Sequence, residues 1–83
     1  MDLQIAHDWY QDQCPGLGGD FLFAIREVLV RLEQNPEAFP LYHREFRRAL
    51  TRRFPYKVFF QIHGDAVIVF RVLHGAQEHK RQL

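Results

Sequence analysis

Serine is absent from this chain, and Thr51 is its single threonine. Hydrolases that pair a serine nucleophile with a histidine base are therefore excluded by composition. Cys14 is the only cysteine, so no disulfide can close within the chain and no cysteine-based zinc site can form. It also lies beside Pro15 with Asp12 and Asp20 near, whereas a nucleophilic thiol needs electropositive surroundings. Long apolar runs are missing too: Ala66-Val67-Ile68-Val69-Phe70 is far too short to span a bilayer. Asp2, His7 and Asp8 interrupt the start where a signal segment would need apolar residues. A soluble protein of a reducing, cytoplasmic compartment is expected, with no membrane contact. Gly16-Leu17-Gly18-Gly19-Asp20 lacks the Lys-Ser/Thr of a phosphate-binding loop, and no strand leads into it. His7, His43, His63, His74 and His79 show no pairing with a carboxylate that would suit a metal. Neither a metal nor another cofactor is expected.

The length, 83 residues, sets one domain over residues 1–83. Such a domain buries only about 60–65% of the surface its unfolded chain exposes, so a partner would add welcome stability. Charge is divided unevenly. Residues 1–40 hold seven acids against Arg26 and Arg31, a net of −5, and residues 41–83 hold nine Lys/Arg against three acids, a net of +6. A dipolar domain with a basic half suits an anionic partner, either nucleic acid or an acidic protein segment.

Periodicity then gives the elements. A helix is expected over about residues 4–13, where Ile5 and Trp9, then Ala6 and Tyr10, stand four apart. Pro15 and the glycines after it stop that helix, and Asp20 or Gly19 is placed to cap the next. The second helix, about 21–34, carries the strongest signal: Phe21, Ile25, Val28, Leu29 and Leu32 form one apolar stripe. Asn35-Pro36 ends it. After a connection anchored by Phe39, Pro40 and Leu41, strands are expected over about 45–51, 56–63 and 66–74, the last two joined by Gly64-Asp65. The tail, 75–83, reads as polar and loose. The expected fold class is α+β: an antiparallel helical hairpin packed on a three-stranded antiparallel meander.

Residues 43–57 concentrate six of the eleven Lys/Arg, interleaved with Phe46, Phe54 and Tyr56. Arg47 and Arg48 are neighbours in a strand, so they point to opposite faces and cannot share one job. Guanidinium forks suit phosphate oxygens and aromatic faces suit bases. The plainer reading is a strand edge kept from aggregating by charge.

The motifs Asp8-Trp9-Tyr10, Pro15-Gly16-Leu17-Gly18 and Phe21-Leu22 resemble the helical hairpin of the RelE/ParE toxins. Asn35-Pro36, Phe39-Pro40, Arg47-Arg48-Ala49-Leu50, Arg53-Phe54-Pro55-Tyr56 and Val72-Leu73-His74 continue the resemblance in order, over about residues 6–77. The resemblance implies the toxin of a bacterial type II toxin–antitoxin module, of use in plasmid stabilization and held inactive by a cognate antitoxin. Relatives of the ParE kind poison DNA gyrase, and those of the RelE kind cleave mRNA on the ribosome without a metal. As a nuclease, this chain would use Arg48, Arg53 and Arg71 to stabilise charge and His74 to move protons. Arg47, Arg52, Tyr56, Lys57 and His79 are candidates for contact with the target or RNA; His79 is also a second possible proton carrier. Two departures stand out. The family's N-terminal strand is missing before the first helix, which implies either an upstream start or a shortened chain with an unpaired sheet edge open to homo- or hetero-oligomers. Gln77 stands where an arginine is usual, and no tyrosine follows Tyr56. The gyrase reading is therefore favoured over the nuclease, with an inactive toxin that retains only antitoxin binding as the remaining alternative.

Overall fold

A computed structural model describes residues 3–74. Its elements are helices α1 (Leu3–Gln13) and α2 (Leu17–Gln34), a 3-10 turn (Pro36–Ala38), and strands β1 (Leu41–His43), β2 (Phe46–Leu50), β3 (Tyr56–His63) and β4 (Ala66–His74). The sheet is antiparallel throughout, in the order β1-β2-β3-β4. The α+β class and the paired helices hold, but the sheet has four strands where three were expected. The extra strand, β1, lies in what the sequence presents as a connection. Three residues are too few to show alternation, and the turn into β2 uses Arg44 at φ 54 in place of a glycine. The tail 75–83 lies outside the described residues.

The α2 stripe forms the centre of the core: Phe21, Ile25, Val28 and Leu32 are buried, with Leu29 packed beside them. Each such side chain contributes about 1.5–3 kcal/mol by leaving water. On α1, the pair Ala6 and Tyr10 faces this core while Ile5 and Trp9 are exposed. Tyr10, Phe21, Phe54 and Tyr56 then make a continuous aromatic cluster, with Tyr10 5.1 Å from Phe21 and 5.0 Å from Phe54, and Phe21 4.9 Å from Tyr56.

The glycine run does something other than make a long turn. Gly16, at φ 91, is the N-cap of α2, and Gly18 and Gly19 are already helical. A Cβ on Gly18 would stand 2.7 Å from the His7 Cδ2 atom and the His7 carbonyl oxygen, so this glycine sets how closely the helices approach. Nothing lies within 4 Å of a Cβ at Gly19. Gly18→Ala is thus expected to lower stability by about 1–3 kcal/mol through overpacking. Gly19→Ala should raise it by about 0.5–1 kcal/mol by restricting the unfolded chain. Urea melts of the two variants check the contrast; equal effects would contradict it.

Register assigns each strand residue to a face. Arg47 pairs with Phe60 and Ala49 with Val58, and across β3 Phe60 pairs with Val69 and Val58 with Val72. Phe60, Val58, Ala49 and Val72 belong to the helix-side core, so this row set faces the helices. The intervening residues face away, on the side the helices leave open.

Candidate functional site

On that open face one row runs Arg48, Phe59, Arg71 across three strands, and the next runs Leu50, Lys57, Leu73. Three cations thus surround Phe59, which is fully buried although it lies on the side away from the helices. Aromatic rings make the bed. Tyr42 lies 5.4 Å from Phe59, and Phe46 lies 4.9 Å from Phe70. The Arg48 guanidinium stands 4.6 Å over the Tyr42 ring, and that of Arg71 stands 5.5 Å over Phe70. Stacked guanidiniums keep their outward N–H donors while losing rotational freedom. This arrangement can bind carboxylates or phosphates in fixed positions.

A bulge explains why Arg71 points this way. Pairing shifts between Phe59/Phe60, leaving Phe70 as the extra residue on β4, so Phe70 and Arg71 both reach the open face. The Arg71 Nε is buried without a hydrogen-bond partner.

The remaining candidates are elsewhere. Arg47 points to the helix side and donates from Nη1 to the Phe39 carbonyl at 2.7 Å and the Glu37 carbonyl at 3.4 Å, tying the 3-10 turn to the sheet. Arg52 pairs with Glu27 and Arg53 with Asp20, each at 3.6 Å, so both hold the β2–β3 turn against α2. Thr51 fixes the same turn, its hydroxyl donating to the Phe54 carbonyl at 2.6 Å. Tyr56 is a core residue whose phenol is pushed up to about 12, by burial first and by Tyr10 beside it second. His74 pairs with Tyr56 on the helix side and packs on its ring at 5.3 Å. With Trp9, Tyr10 and Pro55 these two line a cleft of about 370 Å³. His79 lies outside the described residues. Among the described residues there is no cluster of three or more His, Cys, Asp or Glu placed to hold a metal, and no helix is long and apolar enough to cross a membrane.

Sequence reasoning missed Tyr42, Phe59 and Phe70 as parts of this face; of the aromatics it named in the basic segment, Phe46 lies here, whereas Phe54 and Tyr56 belong to the helix-side core. Phe59 did carry a signal: it alternates with the core residues of β3 and shares its side with Lys57, Gln61 and His63. An aromatic ring on an otherwise polar strand face marks a surface that something covers.

The fold and face together define a small α+β domain that offers Arg48, Lys57 and Arg71 on the sheet face the helices leave open. The family model for the ParE toxin of the type II toxin–antitoxin system parDE matches residues 1–79. The chain belongs to that family, and is the toxin of a type II toxin–antitoxin pair. No curated protein and no solved structure matches it.

Proposed function

We propose that this toxin arrests growth by binding DNA gyrase through its open sheet face, and that a cognate antitoxin neutralises it. The observation that carries this reading is the separation of cations from the expected proton carrier. Arg48, Lys57 and Arg71 lie on one side of the sheet, and His74 lies on the other, against Tyr56. RNA cleavage needs a proton donor or acceptor within hydrogen-bond reach of the phosphate that the cations hold. A binding inhibitor needs only the cations. Family membership supports the same reading.

Tyr42 favours a second one. Its ring lies beneath the Arg48 guanidinium on the open face, at 4.6 Å, which brings a phenol to the cations there. A ribosome-dependent mRNA endonuclease could use that phenol as its acid. The two readings separate in one experiment with purified chain, tested against gyrase supercoiling and against mRNA in a translating extract. Loss of supercoiling with intact mRNA is the expected result. Cleaved mRNA, with cleavage lost in both Arg48→Ala and Tyr42→Phe, would establish the nuclease instead. No effect on either, with normal growth on expression, would identify an inactive toxin.

A further inference from the structure

We propose that the cleft formed by Trp9, Tyr10, Tyr56 and His74 on the helix side is a receptor for an arginine side chain presented by a partner protein. Its walls are rings turned against one another. Trp9 stands edge-on to Tyr10, with centroids 5.0 Å apart and an interplanar angle of 83°. Tyr10 and Tyr56 follow at 6.4 Å and 67°, then Tyr56 and His74 at 5.3 Å and 80°. Pro55 completes the lining of a space of about 370 Å³. Rings at steep angles present π faces and edges to one space from several directions, and π faces attract an organic cation. Indole is the strongest of these rings toward a cation, and Trp9 is left 58% exposed.

Charge selects the occupant. Among the described residues no lysine or arginine lines the cleft. Arg53, on the turn before Pro55, is paired with Asp20, and Lys57, next to Tyr56 in β3, points to the open face. Asp12 stands three residues after Trp9, one helical turn further along the same side of α1. It has no ion pair among the described residues. α1 ends at Gln13, so Trp9 and Tyr10 lie by its last turn, whose carbonyl groups carry partial negative charge. No basic residue stands in that turn to offset it. Residues 1–40 as a whole carry seven acids against two arginines. Burial first, and Tyr10 beside it second, pushes the Tyr56 phenol up to about 12, so the cleft holds no phenolate at neutral pH. The attraction comes instead from ring faces, the helix end and Asp12. Arginine fits these better than lysine. A guanidinium is planar, stacks on aromatic faces and is less strongly hydrated than an ammonium, so it gives up water at lower cost.

The domain then has two recognition surfaces of opposite preference. Arg48, Lys57 and Arg71 on the open face suit an acidic surface, and the helix-side cleft suits a basic segment. The sheet separates them, so one can be occupied while the other is engaged.

Trp9 is the only tryptophan, so the intrinsic fluorescence of the purified full chain reads the cleft directly. The probe is a blocked tripeptide with arginine at its centre, compared with lysine, alanine and glutamate versions and with a nucleoside monophosphate. The expected result is a saturable change in emission, with the arginine peptide bound about tenfold or more tighter than the alanine or glutamate peptide. The lysine peptide should bind less tightly than the arginine one. His74→Ala should weaken the arginine peptide by about two- to fivefold. Asp12→Asn should weaken it by about twofold at low salt and hardly at all at high salt. Trp9→Ala, followed by amide chemical shifts because the emission is lost, should abolish binding; circular dichroism melts verify that each variant folds. An equal response to the alanine peptide would make the cleft a merely apolar slot and overturn the proposal. A response to the nucleotide alone would assign it to a base, and emission that changes with protein concentration alone would assign it to a second copy; either overturns the proposal. Binding that appears only in a full chain carrying Lys80→Ala and Arg81→Ala would assign the cleft to this chain's own basic residues, with the same result. Arginine binding indifferent to both Trp9→Ala and His74→Ala would place it elsewhere and overturn the proposal too.

Discussion

Phe59→Ala is expected to lower stability by about 3–5 kcal/mol, the range for emptying a buried aromatic site. Phe59 is fully buried, although the helices lie on the other side of the sheet. Its ring is covered by Tyr42 and by the residues on neighbouring strands, Arg48 and Arg71 among them. A domain of this size has on the order of 5 kcal/mol in total, so most of the chain would be unfolded at 37 °C. By the usual scaling for small domains the midpoint should fall by roughly 12 °C or more. Phe59→Leu retains most of the volume and should cost far less. The pair separates packing from function: if Phe59→Ala melted within about 3 °C of the wild type, the open face would not be held by this ring. Where Phe59→Ala unfolds as expected, its loss of activity says nothing about the target.

The parts of this fold that the sequence made legible are those with many repeats of one period. The stripe from Phe21 to Leu32 runs over three helical turns, and the β3 alternation runs over eight residues, so noise at one position did not matter. Shorter signals misled. In α1 two apolar pairs of equal spacing compete, and hydrophobicity would send Trp9 and Ile5 inward. In the fold Ala6 and Tyr10 take the core side, beside the close approach of His7 to Gly18, and Ile5 and Trp9 go to solvent. In β2 the apolar count favours Phe46 and Leu50 as the core side. Pairing with Val58 and Phe60 reverses it, placing Ala49 and Arg47 toward the helices and Arg48 outward. Adjacent strand residues had to differ in job, but only cross-strand register says which one faces out. His74 follows the same logic. It stands three residues after Arg71, so strand alternation puts the two on opposite faces, and the pairing with Tyr56 and Phe59 says which is which.

Reversing the open-face charge is the other change with a large expected effect. Arg48→Glu and Lys57→Glu are suited to it because both residues lie on the open face and neither is fully buried. Removing one partner of a desolvated interface charge costs about 2–5 kcal/mol, which corresponds to roughly 30- to several-thousand-fold in affinity. The double reversal should therefore abolish growth arrest on induction and any measurable binding of purified chain to gyrase. Neither residue is deeply buried, so the melting midpoint should move little. Arg52→Glu and Arg53→Glu serve as controls of equal charge change. Each breaks an exposed pair at 3.6 Å, to Glu27 or Asp20, worth no more than about 1 kcal/mol, and Arg53→Glu also removes the guanidinium 5.5 Å over the Phe54 ring. They lie at the helix side of the sheet, and killing should persist. A toxin that tolerated Arg48→Glu with Lys57→Glu but failed with Arg52→Glu would place the target on the helices. The basic open face would then be only a solvated surface. Salt sharpens the distinction, because screening weakens long-range attraction to a cationic face while leaving packed apolar contacts nearly unchanged. Binding by the wild type should fall steeply as salt rises, and the residual binding of a single reversal should fall less steeply. That difference in slope belongs to the removed charge and to no structural side effect of the substitution.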